Sequence, residues 1–246
     1  MPSPRAASVI AILLIGLSML AMAELAQAQE AGGAAGFPTK VNAWKVFVML
    51  FLMLGPTKIL APFMAMTAGS DNAFRRALAR RAIIFSAAAL ALAGSLGKTM
   101  LDNLNISLPV LTLAAGLILF LVALQTVLQQ GTSSAKPASR EPPGLQLAYS
   151  PLAFPTIVTP YGIAAVIVFA TLAQDDRSAG LALAGVVLLI LAMNWIAMIF
   201  VEPILKWAGP ALQVFAVVVG VTQVALGLQL IVRSLVIIGA IAERTN

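Results

Sequence analysis

VFVMLFLMLGPTKILAPFMAM, Val46 to Met66, decides the class of this chain. It is as long as a bilayer-spanning helix needs to be, about 20 residues, and Lys58 is its one charge. Gly55-Pro56-Thr57-Lys58 interrupts it near the middle, and Pro62 follows. Proline removes a backbone donor and crowds the preceding turn, so the helix must open there. The surroundings have the same character. Of 246 residues 61% are hydrophobic and 10% charged, against about 25% charged in a soluble domain. Too few charges remain to coat a water-facing surface, so lipid is the solvent for most of the chain. The mean hydropathy of +0.99 agrees.

Working outward, six apolar segments fall at about 43–66, 77–97, 108–128, 151–173, 180–203 and 212–238. They are continuous runs and not ten-residue alternating strands, which predicts helices and excludes a barrel. Polar breaks separate them: Gly69 to Asn72, Lys98 to Asn105, Gln129 to Tyr149, Gln174 to Ser178, and Pro203 to Pro210. Residues 1–28 read as a secretory signal, with Arg5, an apolar Val9 to Met22, and Ala26-Gln27-Ala28 as the cleavage pattern. An uncleaved signal anchor is the alternative. A Gly/Ala-rich linker, 29–42, joins it to a first three-helix unit, 43–128. A loop, 129–150, leads to a second unit, 151–246.

Charge sets the orientation. Arg75, Arg76, Arg80 and Arg81 crowd the loop 68–81 after the first span. Lys136, Arg140 and Lys206 lie in loops of the same side. The positive-inside rule makes that side cytoplasmic and the mature N-terminus periplasmic. The net charge of +6 is thereby a topology signal, with no basic readout face for nucleic acid. The absence of His and Cys excludes Cys/His metal sites, His-ligated haem and His-dependent triads, so no cofactor is expected.

The halves match at one offset. Pro56 and Pro160 lie 104 positions apart, and so do Ile59 and Ile163, Thr67 and Thr171, Gly116 and Gly220, and Gln125 and Gln229. Three spans is an odd number, so the second copy enters the membrane from the opposite side. The expected fold is an all-α membrane protein of six transmembrane helices, built as two inverted three-helix repeats. Secondary transporters are commonly built this way, and paired helix breaks mark their midplane sites.

The candidate substrate-binding residues therefore lie at the breaks: Gly55, Pro56, Thr57 and Lys58 in the first span, Thr159, Pro160, Tyr161 and Gly162 in the fourth. Unwound carbonyls can hold a cation, and half-helix N-termini favour a carboxylate. Lys58 reads either as a counter-ion for an anionic substrate group or as a lysine reaching a carbonyl or an interface. The hydroxyls of Thr57, Thr159 and Tyr161 read as ligands or as back-bonds to the preceding turn. Asn194, midway along the fifth span, must find a hydrogen bond there, as a site residue or as interhelical glue. Thr112 with Gly116, and Ala216 with Gly220, read as packing surfaces.

The stretch FRRALARRAIIFSAAALALAGSLGKTMLDNLNISLPVLTLAAGLILFLVAL, Phe74 to Leu124, resembles the MarC family (UPF0056) of bacterial inner-membrane proteins. YSPLAFPTIVTPYGIAAVIV, from Tyr149, and GLQLIVRSL, from Gly227, are similar to two further family segments. The resemblance implies a multi-pass inner-membrane protein grouped with exporters, and transport of small neutral amino acids is attributed to parts of the family. The breaks depart from its pattern. Its N-P-I-G-N-I-P reads here Gly55 to Pro62, with Lys58 at a usual glycine, and Thr159 and Tyr161 also stand where glycines are usual.

The expected function is a secondary transporter or exporter of a small polar metabolite, an amino acid by the resemblance. Its partners would be that small molecule and the lipid bilayer, with a homo-oligomer left open. A non-transporting assembly partner or sensor is the alternative. An enzyme is not expected, because no mid-span carboxylate pair, His or Cys is present.

Overall fold

The computed structural model describes Gly16, residues 43–129 and residues 144–240. The rest of the expected signal segment, the linker, and Lys136 and Arg140 lie outside the described residues. Among those described, every regular element is helical. The first span is α1 (Ala43–Leu54), a tight 3-10 turn (Pro56–Lys58) and α2 (Leu60–Met66). Two long helices follow, α3 (Asn72–Asn103) and α4 (Leu108–Gln129). A 3-10 turn (Leu145–Ala148) and an irregular helical stretch (Tyr149–Ile157) lead into α5 (Pro160–Leu172). The chain closes with α6 (Arg177–Ile199) and α7 (Val201–Ile238). Five helices are long and apolar enough to cross a membrane, and six if the pair bent by 65° at residues 158–159 counts as one span.

The first span is the core of the bundle. About 78% of its apolar window is buried, against 22–39% for the other four unbent spans. Every residue from Val46 to Leu54 is buried, so α1 is wrapped by protein on all sides. The outer helices carry their large apolar side chains on the surface, among them Ile84, Leu92, Leu121, Leu188 and Val214. That is the pattern of a bundle whose outside faces lipid. α1 packs against α5 and α6, α3 against α5 and α6, and α4 against α5 and, along much of its length, α7.

Small residues set the α4–α7 spacing. A Cβ placed on Gly227 would lie 2.7 Å from Phe120 N, and one on Gly116 would lie 3.0 Å from Gly227 O. The two backbones touch, which only glycine permits. Gly116 is thus a packing residue, and so is Gly220, where a Cβ would lie 2.7 Å from Val127 Cγ2.

The turn at Gly69 to Asn72 stands, but three expected helix boundaries move. Arg75, Arg76, Arg80 and Arg81 sit on the first turns of α3, not in a loop. Asp71 caps that helix by accepting from Phe74 N at 2.9 Å, so it starts as soon as Gly69, at φ +76°, has turned the chain. Lys98 and Asp102 lie in the last turns of α3, which stops where Asn105 takes φ +52°. Pro203 and Pro210 interrupt nothing: Phe200 is the junction, and α7 runs through both. Pro203 stands in the first turn of α7, where its missing N–H costs nothing. At 38 residues α7 is about 57 Å long, well beyond the roughly 30 Å hydrocarbon layer. Its charged beginning, Glu202 and Lys206, therefore extends past the apolar region.

Candidate functional site

The site grows from the end of α1. Pro56 has no N–H to give the Leu52 carbonyl, and the 3-10 turn carries the next N–H groups away from Met53 and Leu54. Gly55 makes the exit with extended backbone, φ −69° and ψ 164°. A Cβ there would lie 2.1 Å from Phe51 O, so the break needs glycine. Three consecutive carbonyls are left at the centre of an apolar bundle, where an unpaired polar group is costly.

Side chains from three directions take them up. Gln223 of α7 donates through Nε2 to Leu52 O. Lys58 donates through Nζ to Met53 O, and Thr159 Oγ1 lies 3.4 Å from the same oxygen. Asn194 of α6 donates through Nδ2 to Leu54 O at 2.8 Å and to Ile190 O at 3.0 Å. Thr159, Asn194 and Gln223 are all buried. The Asn194 Oδ1 atom is buried with no hydrogen-bond partner.

The second break lies against the first. Thr159 is the N-cap of α5: its Oγ1 accepts from Gly162 N at 3.1 Å, with Pro160 in the first turn. A Cβ on Gly162 would meet Leu54 Cδ2 at 2.5 Å, so the N-terminus of α5 abuts the C-terminus of α1. Tyr161, itself buried, accepts from Lys58 Nζ at 3.0 Å. Its ring centroid is 5.1 Å from the ammonium, within cation–π range. Both breaks expected from the sequence therefore meet in one polar cluster. Gly55, Pro56, Pro160 and Gly162 shape the backbone, Lys58, Thr159, Tyr161 and Asn194 supply polar atoms, and the half-buried Thr57 side chain takes no part.

Gln223 was missed. The repeat directed attention to the matched pair Gln125 and Gln229, whereas position 119, which pairs with 223 at that offset, is Leu119. Its signal is its place: of Gln213, Gln223 and Gln229 it lies nearest the middle of the last apolar run, the same position that marks Asn194 in the fifth.

A second polar contact joins the halves at the arginine-rich end. Arg75 pairs with Glu202 and donates through Nη2 to Thr67 O at 3.3 Å. It ties together the end of α2, the start of α3 and the start of α7. At the far end of the bundle Asp176 caps α6, accepting from Ser178 N and Ala179 N. The hydrogen bonds from the Ser178 hydroxyl and the two amides hold its carboxyl below the usual carboxylate value.

Chemically the central cluster offers carbonyls, amides, hydroxyls and one ammonium. Among the described residues no group of three His, Cys, Asp or Glu could hold a metal ion.

The profile of a family described as MarC family integral membrane protein matches residues 41–238. UPF0056 membrane protein MJ1677 of Methanocaldococcus jannaschii is similar to this chain, 25% identical over 194 residues, covering 77% of this chain and 93% of the relative. No solved structure matches. The matched region spans every described helix, from the buried first span to the end of α7, and the chain belongs to the MarC family of integral membrane proteins.

Proposed function

We propose that this protein is a secondary transporter or exporter of a small polar metabolite, bound where the two broken spans meet. The carrying observation is the Lys58–Tyr161 contact at 3.0 Å, which joins the two breaks inside a buried polar cluster. Polar groups converging between discontinuous helices are what marks a midplane transport site.

The packing supports the inverted-repeat reading. The offset that carries Gly116 onto Gly220 also carries Val127 onto Ile231. A Cβ on Gly116 would lie 3.2 Å from Ile231 N, and one on Gly220 would lie 2.7 Å from Val127 Cγ2. Exchange of partners is what a pseudo-two-fold axis between α4 and α7 produces. On this reading the arginine-bearing end of α3 faces the cytoplasm of a bacterial inner membrane. A small neutral amino acid is the substrate class to try first.

Flux into proteoliposomes tests the proposal. Uptake or efflux of one solute class, reduced at least tenfold in Tyr161→Phe or Asn194→Leu, is the expected outcome. No flux over a broad panel of amino acids, small acids and sugars, from protein shown to be folded, would overturn it.

A second reading, a non-transporting assembly partner or sensor, is favoured by one observation. Leu52, Met53 and Leu54 carbonyls all have protein donors already. A break so fully capped can be a fixed structural element. A stoichiometric partner recovered by crosslinking in native membranes would support it.

A further inference from the structure

Lys58 stands where an ion would be expected. The C-terminal end of a helix carries roughly half a negative charge, concentrated on its free carbonyls. At the end of α1 the ammonium rests on Met53 O, on the Tyr161 hydroxyl and near the face of the Tyr161 ring. These are a carbonyl, a hydroxyl and an aromatic face, and among the described residues no carboxylate pairs with the ammonium. The flanking carbonyls of Leu52 and Leu54 are held by Gln223 and Asn194, so the arrangement is fixed from both sides. Asn194 Oδ1 adds a buried acceptor with no partner beside the same helix end. Carbonyl, hydroxyl and aromatic face together make a receptor for a small monovalent cation or a primary ammonium.

We propose that Lys58 is a tethered cation: its ammonium fills an ammonium-type binding site built from Met53 O and the Tyr161 hydroxyl and ring. The native protein then takes up no free cation at this position, and removing the amine opens the site to one. The proposal concerns occupancy of the site and stands or falls apart from flux.

The test is thermal unfolding of the detergent-purified full chain in ammonium, methylammonium or sodium chloride. Tetramethylammonium chloride at equal ionic strength, too bulky for the site, is the reference. Lys58→Ala is expected to melt below the native protein. Methylammonium is expected to raise its melting point dose-dependently by about 2–4 °C at saturation, leaving the native protein unmoved. Lys58→Ala/Tyr161→Phe should lose that response. A Lys58→Ala protein that responds to all four salts alike, or no more than the native protein does, overturns the proposal. If Lys58→Ala does not fold, amine acetylation of the native protein read by mass spectrometry decides. Lys58 must label at least tenfold more slowly than the exposed Lys45 and Lys206, and Tyr161→Phe must speed it. Labelling of Lys58 at the rate of Lys45 overturns it equally.

Discussion

Asn194 and Gln223 each hold one carbonyl that the α1 break has released. Replacing either by Leu keeps the volume and leaves a carbonyl unpaired in a dry core. Hydrogen bonds between membrane helices are worth about 0.6 kcal/mol on average and up to about 1.7. Each variant should therefore melt a few degrees lower, with Asn194→Leu the milder, since its Oδ1 is already unpartnered. Thermal unfolding in detergent measures this. Asp176 offers a pH-dependent case. Its folded value lies below the ordinary 3.8, so its stabilising effect is present above the unfolded value and lost as pH falls through the folded one. Asp176→Asn keeps an N-cap acceptor but does not titrate. On acidification from about pH 5 its melting point should fall less than that of the native protein. Equal acid sensitivity would remove Asp176 from the account.

At the scale of elements, the α4–α7 contact and the α1 break rest on glycines of different kinds. Gly227 is wedged against Phe120 backbone, 2.7 Å from where a Cβ would lie, and that backbone cannot rotate away as a side chain could. Gly227→Leu should force the helices apart and cost about 1–3 kcal/mol or more, read as a lower melting point. Gly185 on α6 has nothing within 4 Å of a Cβ, so Gly185→Ala should be tolerated. These elements were largely legible in the sequence. Gly-Pro pairs have local consequences, and both breaks form where Pro56 and Pro160 stand. Helix ends were less legible. Pro203 and Pro210 look like a loop, yet proline is acceptable in a first turn and α7 continues through Pro210. The arginines of α3 look like a loop by charge, yet charge reports depth in the membrane and not backbone conformation.

At the scale of the molecule, Arg75 and Glu202 join the two halves across the arginine-rich end. Arg75 is mostly covered, 14% exposed, and Glu202 half-exposed at 53%. A partly exposed pair is worth no more than about 1 kcal/mol. Arg75→Glu and Glu202→Arg should each lower the melting point slightly, and the double exchange should recover part of the loss. Full recovery is not expected, because Arg75 also donates to Thr67 O. A double-mutant cycle showing no coupling would mean that the pair does not join the halves.

The sequence by itself determined the solvent, the number of apolar segments and the place of both helix breaks. Hydropathy acts over one helix length, and glycine and proline act within a turn, so all three are written locally. Lys58 and Thr159 could be named because they adjoin those breaks. Only the tertiary structure decided what the breaks do. Leu54 O is met by Asn194, 140 positions away, and Leu52 O by Gln223, 171 away. No helical period encodes such pairs. They exist because α1 is enclosed on all sides, so that each carbonyl freed by Gly55 and Pro56 had to find its donor on whichever helix packed beside it.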